Sequence, residues 1–162
     1  MIYTHIKIIS PNEISDLILE EKQKGRSVVT LNGSFDLLHA GHLQIIFEAK
    51  EQADILVVAL NSDASIQKYK SPLRPIIPLA YRMEMVAALE PVAYVTWFDE
   101  TDPREILKKI RPDVHVNGAE YGAECIEAEV VREIGARLYL VDRVPSLSTS
   151  QIIEKIKKVC DS

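Results

Sequence analysis

Residues 33–42 read GSFDLLHAGH, with His39 and His42 three positions apart around Gly41. Imidazoles at that spacing in a tight turn converge on one ligand. The residue types leave three readings open: a metal, a phosphate, or a structural turn with hydrogen-bonded histidines. Gly41 lets a phosphate approach the backbone closely. Zinc fits poorly, because His5 and His115 are isolated in sequence and no Cys or His cluster completes a four-ligand shell. Cys125 and Cys160 lie far apart without CxxC spacing and read as free thiols of a reducing cytosol. No metal-ligating set is assigned.

The elements around the turn decide what it is for. SVVTL (27–31), DILVVAL (54–60), VAYVTWF (92–98), DVHVN (113–117) and RLYLV (137–141) read as strands. DILVVAL is continuously apolar, as in a strand buried on both faces. Helical spacing follows the turn in LQIIFEAKEQA, with the helix starting near His42, and recurs in PLAYRMEMVAALE (78–90) and in AECIEAEVVREIG, which ends at Gly135. Three helix starts carry capping signals: Ser10 with Glu13, Asp102 with Pro103 and Glu105, and Ser148 with Gln151. The first helix is expected at about 11–24 and the last at about 149–159. Strands alternating with helices predict an α/β fold, a doubly wound and mostly parallel five-stranded sheet, in one domain over 1–162. The GSFDLLHAGH turn then joins a strand's carboxyl end to a helix N-terminus. That junction binds anions, and ligands of such sheets sit beyond the strand ends at a switch point.

Composition narrows the ligand. The chain has 162 residues, 47% hydrophobic, and a net charge of −5. A core of useful size is available, while an extended basic face for nucleic acid is not expected. No apolar run reaches the length of a membrane span, and the start MIYTHIKIISPNE lacks a signal-peptide pattern. These features predict a cytoplasmic protein acting on small molecules, with neither nucleic acid nor membrane as partner. Lys155, Lys157 and Lys158 read as a solvated face that complements the last helix's dipole, and Trp97 as core or interface.

The pattern HxGH after a strand and G-x-F-D resembles the nucleotidylyltransferase superfamily, in its cytidylyltransferase-like branch. Residues 61–103, PDVHVNGAEY (112–121) and STSQII (148–153) are similar to the nucleotidyl-transfer domain of the bacterial ADP-heptose synthases. The likeness spans roughly 27–157. It implies a Rossmann-like nucleotidyltransferase fold and a reaction of ATP with D-glycero-β-D-manno-heptose 1-phosphate, giving ADP-heptose and pyrophosphate. Mg²⁺ would accompany the triphosphate. In many bacteria this domain is fused to a sugar kinase; a chain of this length is expected to be the stand-alone form. A homodimer is expected, with the first helix or Trp97 as candidate interface elements.

The nucleophile of such a reaction is already an anion, so alignment and charge neutralisation do most of the work. By motif match, His39 and His42 would hold the α- and β-phosphates, and Lys70, with Lys68 a second candidate, would reach them. Gly33, Ser34, Phe35, Gly41, Asn117 and Gly118 would line the nucleotide site. Ser148 and Thr149 would cap the phosphates from the last helix. Arg82 either contacts a phosphate or forms a surface ion pair with Glu84. Asp36 either binds the acceptor or makes an Asx-turn. Asn61 (nucleotide side) and Asp63 (acceptor side) either line the pocket or sit in a solvated loop.

Departures from the family pattern bear on the substrates. Asn117 stands where the heptose enzymes usually have Lys, Ala119-Glu120 replaces Gly-Asp, and Ser34 replaces a common Cys. Arg143 in DRVPSLSTS resembles the arginine of the RTxGIST signature of glycerol-3-phosphate cytidylyltransferases and would bind substrate. Two alternatives therefore stand beside ADP-heptose synthesis: a cytidylyltransferase using CTP and a small phosphate such as glycerol 3-phosphate, and a nucleotide-binding module without catalysis.

Overall fold

The computed structural model describes residues 6–142 and 148–161. Five strands form one sheet: β1 (Val28–Gly33), β2 (Ile55–Asn61), β3 (Tyr94–Phe98), β4 (Val114–Gly118) and β5 (Arg137–Val141). Their order is β3-β2-β1-β4-β5, and every neighbouring pair is parallel. The helices are α1 (Ile14–Gln23), α2 (Ala40–Lys50), α3 (Asp63–Tyr69), α4 (Leu79–Ala87), α5 (Arg104–Ile110), α6 (Ala128–Glu133) and α7 (Thr149–Cys160). This is the expected Rossmann-like arrangement, and the sheet is parallel throughout rather than mostly so.

Side-chain alternation sorts the core into two layers. Val29, Leu31, Leu56, Val58 and Leu60 pack with Ile46 and Ala49 of α2 and with Val86 and Ala87 of α4. Val28, Ile55, Val57 and Ala59 pack with Ile14 and Ile18 of α1 and with Ile106 and Ile110 of α5. All seven residues of β2 are buried, which is why its sequence is an unbroken apolar run. The chain builds outward from β1 to β3, then returns to lay β4 on β1's other side. The crevice of the switch point therefore opens at the carboxyl ends of β1 and β4.

Several boundaries differ from those expected. The first helix begins at Ile14; ahead of it, Ser10 Oγ donates to Glu13 Oε2 at 2.6 Å within a turn rather than capping the helix. The predicted Asp102 cap is shifted, because α5 starts at Arg104, whose N–H donates to Asp102 Oδ1 at 3.2 Å. Helix α6 starts at Ala128 and not near 123, and Gly135 follows it with φ 75°. Helix α3 was not anticipated; Ser62 caps it by accepting from Ser65 N at 3.1 Å. At α7 half of the expected capping box forms: Gln151 N donates to Ser148 Oγ at 3.3 Å, while the Gln151 side chain accepts from that hydroxyl, at 3.1 Å, rather than from the Ser148 backbone N–H.

Candidate active site

A cleft of about 300 Å³ lies beyond the carboxyl ends of β1, β4 and β5. Its floor is the turn from β1 into α2. His39 stands in extended backbone just before α2 and makes no side-chain cap, so the first-turn N–H groups of α2 face the cleft without a capping side chain. The rings of His39 and His42 are stacked, with centroids 3.9 Å apart and planes at 28°. Phe35 packs behind them, its centroid 5.2 Å from that of His42. Phe35 holds φ 46°, a left-handed conformation that a bulky side chain adopts at a cost, and burial of its ring in the core holds it there.

Electrostatics follow from this packing. Burial, then the positive charges of His39 and Lys70, lower the His42 pKa to about 4. At neutral pH His42 is therefore an uncharged imidazole, offering one N–H donor and one acceptor. Lys70 Nζ donates to Ser34 Oγ at 3.0 Å and lies 5.3 Å above the Tyr69 ring, which fixes its ammonium over the turn. Asp36 is buried and accepts from Ile76 N and Ile77 N, each at 2.9 Å, and from Arg74 Nε at 2.8 Å. Burial raises its pKa, but the N–H groups of Ile77 and Ile76 and the Arg74 guanidinium outweigh this and hold the carboxyl below its ordinary value.

Of the residues singled out from sequence, the cleft gathers Gly33, Ser34, Phe35, Asp36, His39, Gly41, His42, Lys70, Asn117, Gly118, Ser148 and Thr149. Asn117 Nδ2 donates to the buried Glu127 at 3.2 Å, and its Oδ1 accepts from Gly118 N at 3.0 Å. Four described residues are elsewhere. Arg82, expected at a phosphate or on the surface, is fully buried beneath the floor. Its guanidinium donates to Ile77 O at 2.8 Å, Ser34 O at 2.5 Å, Asn61 O at 2.9 Å and Asp63 Oδ1 at 2.8 Å. Asn61 donates to Ser65 Oγ at 3.0 Å, and Asp63 accepts from Leu79 N at 3.0 Å. Neither Asn61 nor Asp63 lines the cleft; both are tied up where β2, α3 and α4 meet. Lys68 is exposed and also outside it, and Arg143 lies outside the described residues.

The cleft residues that escaped the sequence reading include Arg74 and Asn32. The faint signals were a basic residue in the proline-flanked stretch SPLRP and a polar residue interrupting a strand's apolar run. Among the described residues no group of three or more His, Cys, Asp or Glu is arranged to hold a metal ion. No described helix is long and apolar enough to cross a membrane.

A family model described as cytidylyltransferase-like matches residues 30–157. The chain belongs to the cytidylyltransferase-like family. This cytidylyltransferase-like chain is 41% identical over 151 residues to the bifunctional protein HldE of Syntrophotalea carbinolica, covering 93% of the chain and 31% of that protein. It is 40% identical over 140 residues to the bifunctional protein HldE of Hahella chejuensis, covering 86% and 29%. It thus spans about a third of the length of the curated relatives it matches. Among solved structures, it is similar to the lipopolysaccharide core biosynthesis protein of Thermoplasma volcanium, at 27% identity and TM-score 0.60 over 74% of this chain and 98% of that one. Pantoate-β-alanine ligase of Francisella tularensis shares the fold, at 15% identity and TM-score 0.65 over 96% of this chain and 79% of that one. The cleft of this cytidylyltransferase-like chain sets imidazoles, cationic side chains and helix N–H groups together. Those are the groups that align and neutralise phosphates.

Proposed function

We propose that this nucleotidyltransferase moves the adenylyl group of ATP onto D-glycero-β-D-manno-heptose 1-phosphate, releasing pyrophosphate. A phosphate oxygen of the sugar attacks the α-phosphorus, the α–β bridging bond breaks, and pyrophosphate carries away the bonding pair. The observation that carries this reading is the stacked His39–His42 pair at the start of α2, beside Lys70 and in one cleft with the N-terminus of α7. His39, His42 and Lys70 act in it as donors to the phosphates. Ser34, Gly41, Thr149 and the backbone of α2 line their path, while Asn117 and Gly118 serve the nucleoside. Arg74, with Asp36 holding it, takes the acceptor's phosphate. Mg²⁺ would arrive on the triphosphate, bound through its oxygens and water. The similarity to the HldE proteins and to the Thermoplasma protein supports heptose as the acceptor. A homodimer and a cytoplasmic location belong to the same reading.

The sequence departures at Asn117 and Arg143 support a second reading, in which CTP and a polyol phosphate such as glycerol 3-phosphate are the substrates. Pyrophosphate release with Mg²⁺ is the test, crossing ATP and CTP with heptose 1-phosphate and glycerol 3-phosphate. Release with ATP and heptose 1-phosphate alone supports the first reading. Release with CTP alone replaces it with the second. Binding of nucleotide without any release rejects both in favour of a non-catalytic module.

A further inference from the structure

Asn32 is the penultimate residue of β1 and lines the cleft. Leu31 belongs to the layer under α2, so alternation turns Asn32 to the opposite face, that of Val28 and Thr30. Thr30 pairs there with His115 of β4, Oγ1 to Nδ1 at 2.9 Å. Two residues further along each strand, just past the last paired positions, stand Asn32 and Asn117, both in the cleft lining. Their carboxamides differ. Both ends of Asn117 are engaged, by Glu127 and by Gly118 N. Asn32 Oδ1 is shut away from solvent without a hydrogen-bond partner, and neither end of its carboxamide bonds to a described residue.

Asn32 is half-buried, but leaving its carbonyl oxygen desolvated and unpaired is costly, and native structures rarely do so. This one stands in the wall of a ligand cleft. Phosphate is not its natural partner, since phosphate only accepts, and the histidines, Lys70, Arg74 and α2 already supply donors for it. A hydroxyl both donates and accepts, so it pairs with either end of a carboxamide. We propose that Asn32 is a substrate-binding residue that takes a hydroxyl group carried by one of the two substrates, the ribose of the nucleotide or the polyol of the phosphate acceptor. This rests on the nucleotidyl-transfer reading and adds to it the group that reads the non-phosphate part of a substrate.

The test is direct binding, which needs no turnover. Titration calorimetry would compare the parent, Asn32→Ala and Asn32→Ser with ATP, 2′-deoxy-ATP, 3′-deoxy-ATP, CTP, heptose 1-phosphate and glycerol 3-phosphate. Asn32→Ala should weaken one substrate class about tenfold or more and leave the other within twofold. If ribose is the partner, deleting the matching hydroxyl should weaken the parent's binding but not that of Asn32→Ala. If the acceptor is the partner, only the sugar or polyol phosphate should lose affinity. Asn32→Ser, which puts a shorter donor-acceptor group in place of the carboxamide, should recover part of the loss. Melting temperatures run alongside separate this from a folding defect. Unchanged affinities for every ligand the parent binds, with or without a lower melting temperature, would overturn the proposal. If the substrates have been misjudged, the parent binds CTP or glycerol 3-phosphate instead of ATP or heptose 1-phosphate, and Asn32 is read on those.

Discussion

Asp36, in the turn between β1 and α2, grips Arg74 of the α3–α4 loop through two nitrogens, Nε at 2.8 Å and Nη2 at 2.6 Å, both on Oδ2. The same carboxylate caps the N–H groups of Ile76 and Ile77. One buried anion thus ties the loop that carries a cation to the turn that carries the histidines. Replacing Asp36 by Asn keeps the shape, but the amide's NH₂ end faces a donor. We expect a loss of about 1–3 kcal/mol in stability. A tenfold or greater fall in kcat/KM for the acceptor should accompany it, with nucleotide affinity less affected. Melting curves and steady-state kinetics on the one variant check both.

Asp36 also sets a sign for acid stability. Its folded pKa lies below the ordinary value of 3.8, so its contribution is complete above that value and disappears as pH falls through the folded pKa. Thermal melts from pH 5 down to pH 3 should show the parent losing stability more steeply than Asp36→Asn. Parallel curves would contradict this.

His39→Ala and His42→Ala should each lower turnover about 10²–10³-fold, the scale of losing one donor to a developing anion. Circular dichroism should stay native in both. His42 carries a second signature. Its pKa of about 4 in the free protein reflects burial first and neighbouring positive charge second. A bound triphosphate supplies the opposite charge, so the pKa should rise on adding nucleotide. Imidazole proton shifts followed by NMR across pH 3–8 read this directly; an unchanged titration would remove His42 from the phosphate site.

His115 gives a stability test away from the cleft. It is fully buried on β4, and burial lowers its pKa to about 4. The unfolded chain takes up a proton near 6.5 that the folded chain refuses. Stability is therefore full above about pH 6.5 and falls as pH drops toward 4, by about 3 kcal/mol at most. His42 titrates in the same window, so His115→Val should remove only about half of the pH dependence. Denaturant midpoints at pH 7 and pH 4.5 measure it.

The inner strands were legible because parallel strands buried on both faces write themselves as apolar runs, Ile55–Asn61 most plainly, and the half-buried edge strand Arg137–Val141 by its short run of large apolar residues. The histidine turn was legible because its chemistry is local to ten residues. Other features depend on what packs from far away. Arg82 reads like any arginine in an amphipathic helix, yet the first turn of α4 slides it under the ends of β1 and β2, where backbone carbonyls wait. Asn61 and Asp63 follow a strand's carboxyl end as ligand residues do, and the same junction consumes them. Helix α3 is too short, at seven residues, to show a period. The segment before α6 reads as helical, but the bond from Asn117 draws Glu127 into the core ahead of the helix.

Removing Arg82 should expose how much that junction matters. Arg82→Ala leaves Ser34 O, Asn61 O and Ile77 O without their buried donor. A loss of about 3 kcal/mol or more is expected, since each buried carbonyl left unsatisfied costs about 1–3 kcal/mol. Arg82→Lys should recover little of it, since one ammonium cannot span a fork's geometry. Chemical denaturation of the three proteins checks the order.

The same guanidinium has a bearing on how the cleft could be re-engineered. It joins the carbonyls of Ser34, Asn61 and Ile77 through one rigid fork. A substitution that moves the backbone at Ser34 therefore also loads the end of β2 and the start of α4, so retuning the phosphate turn means retuning the junction beneath it.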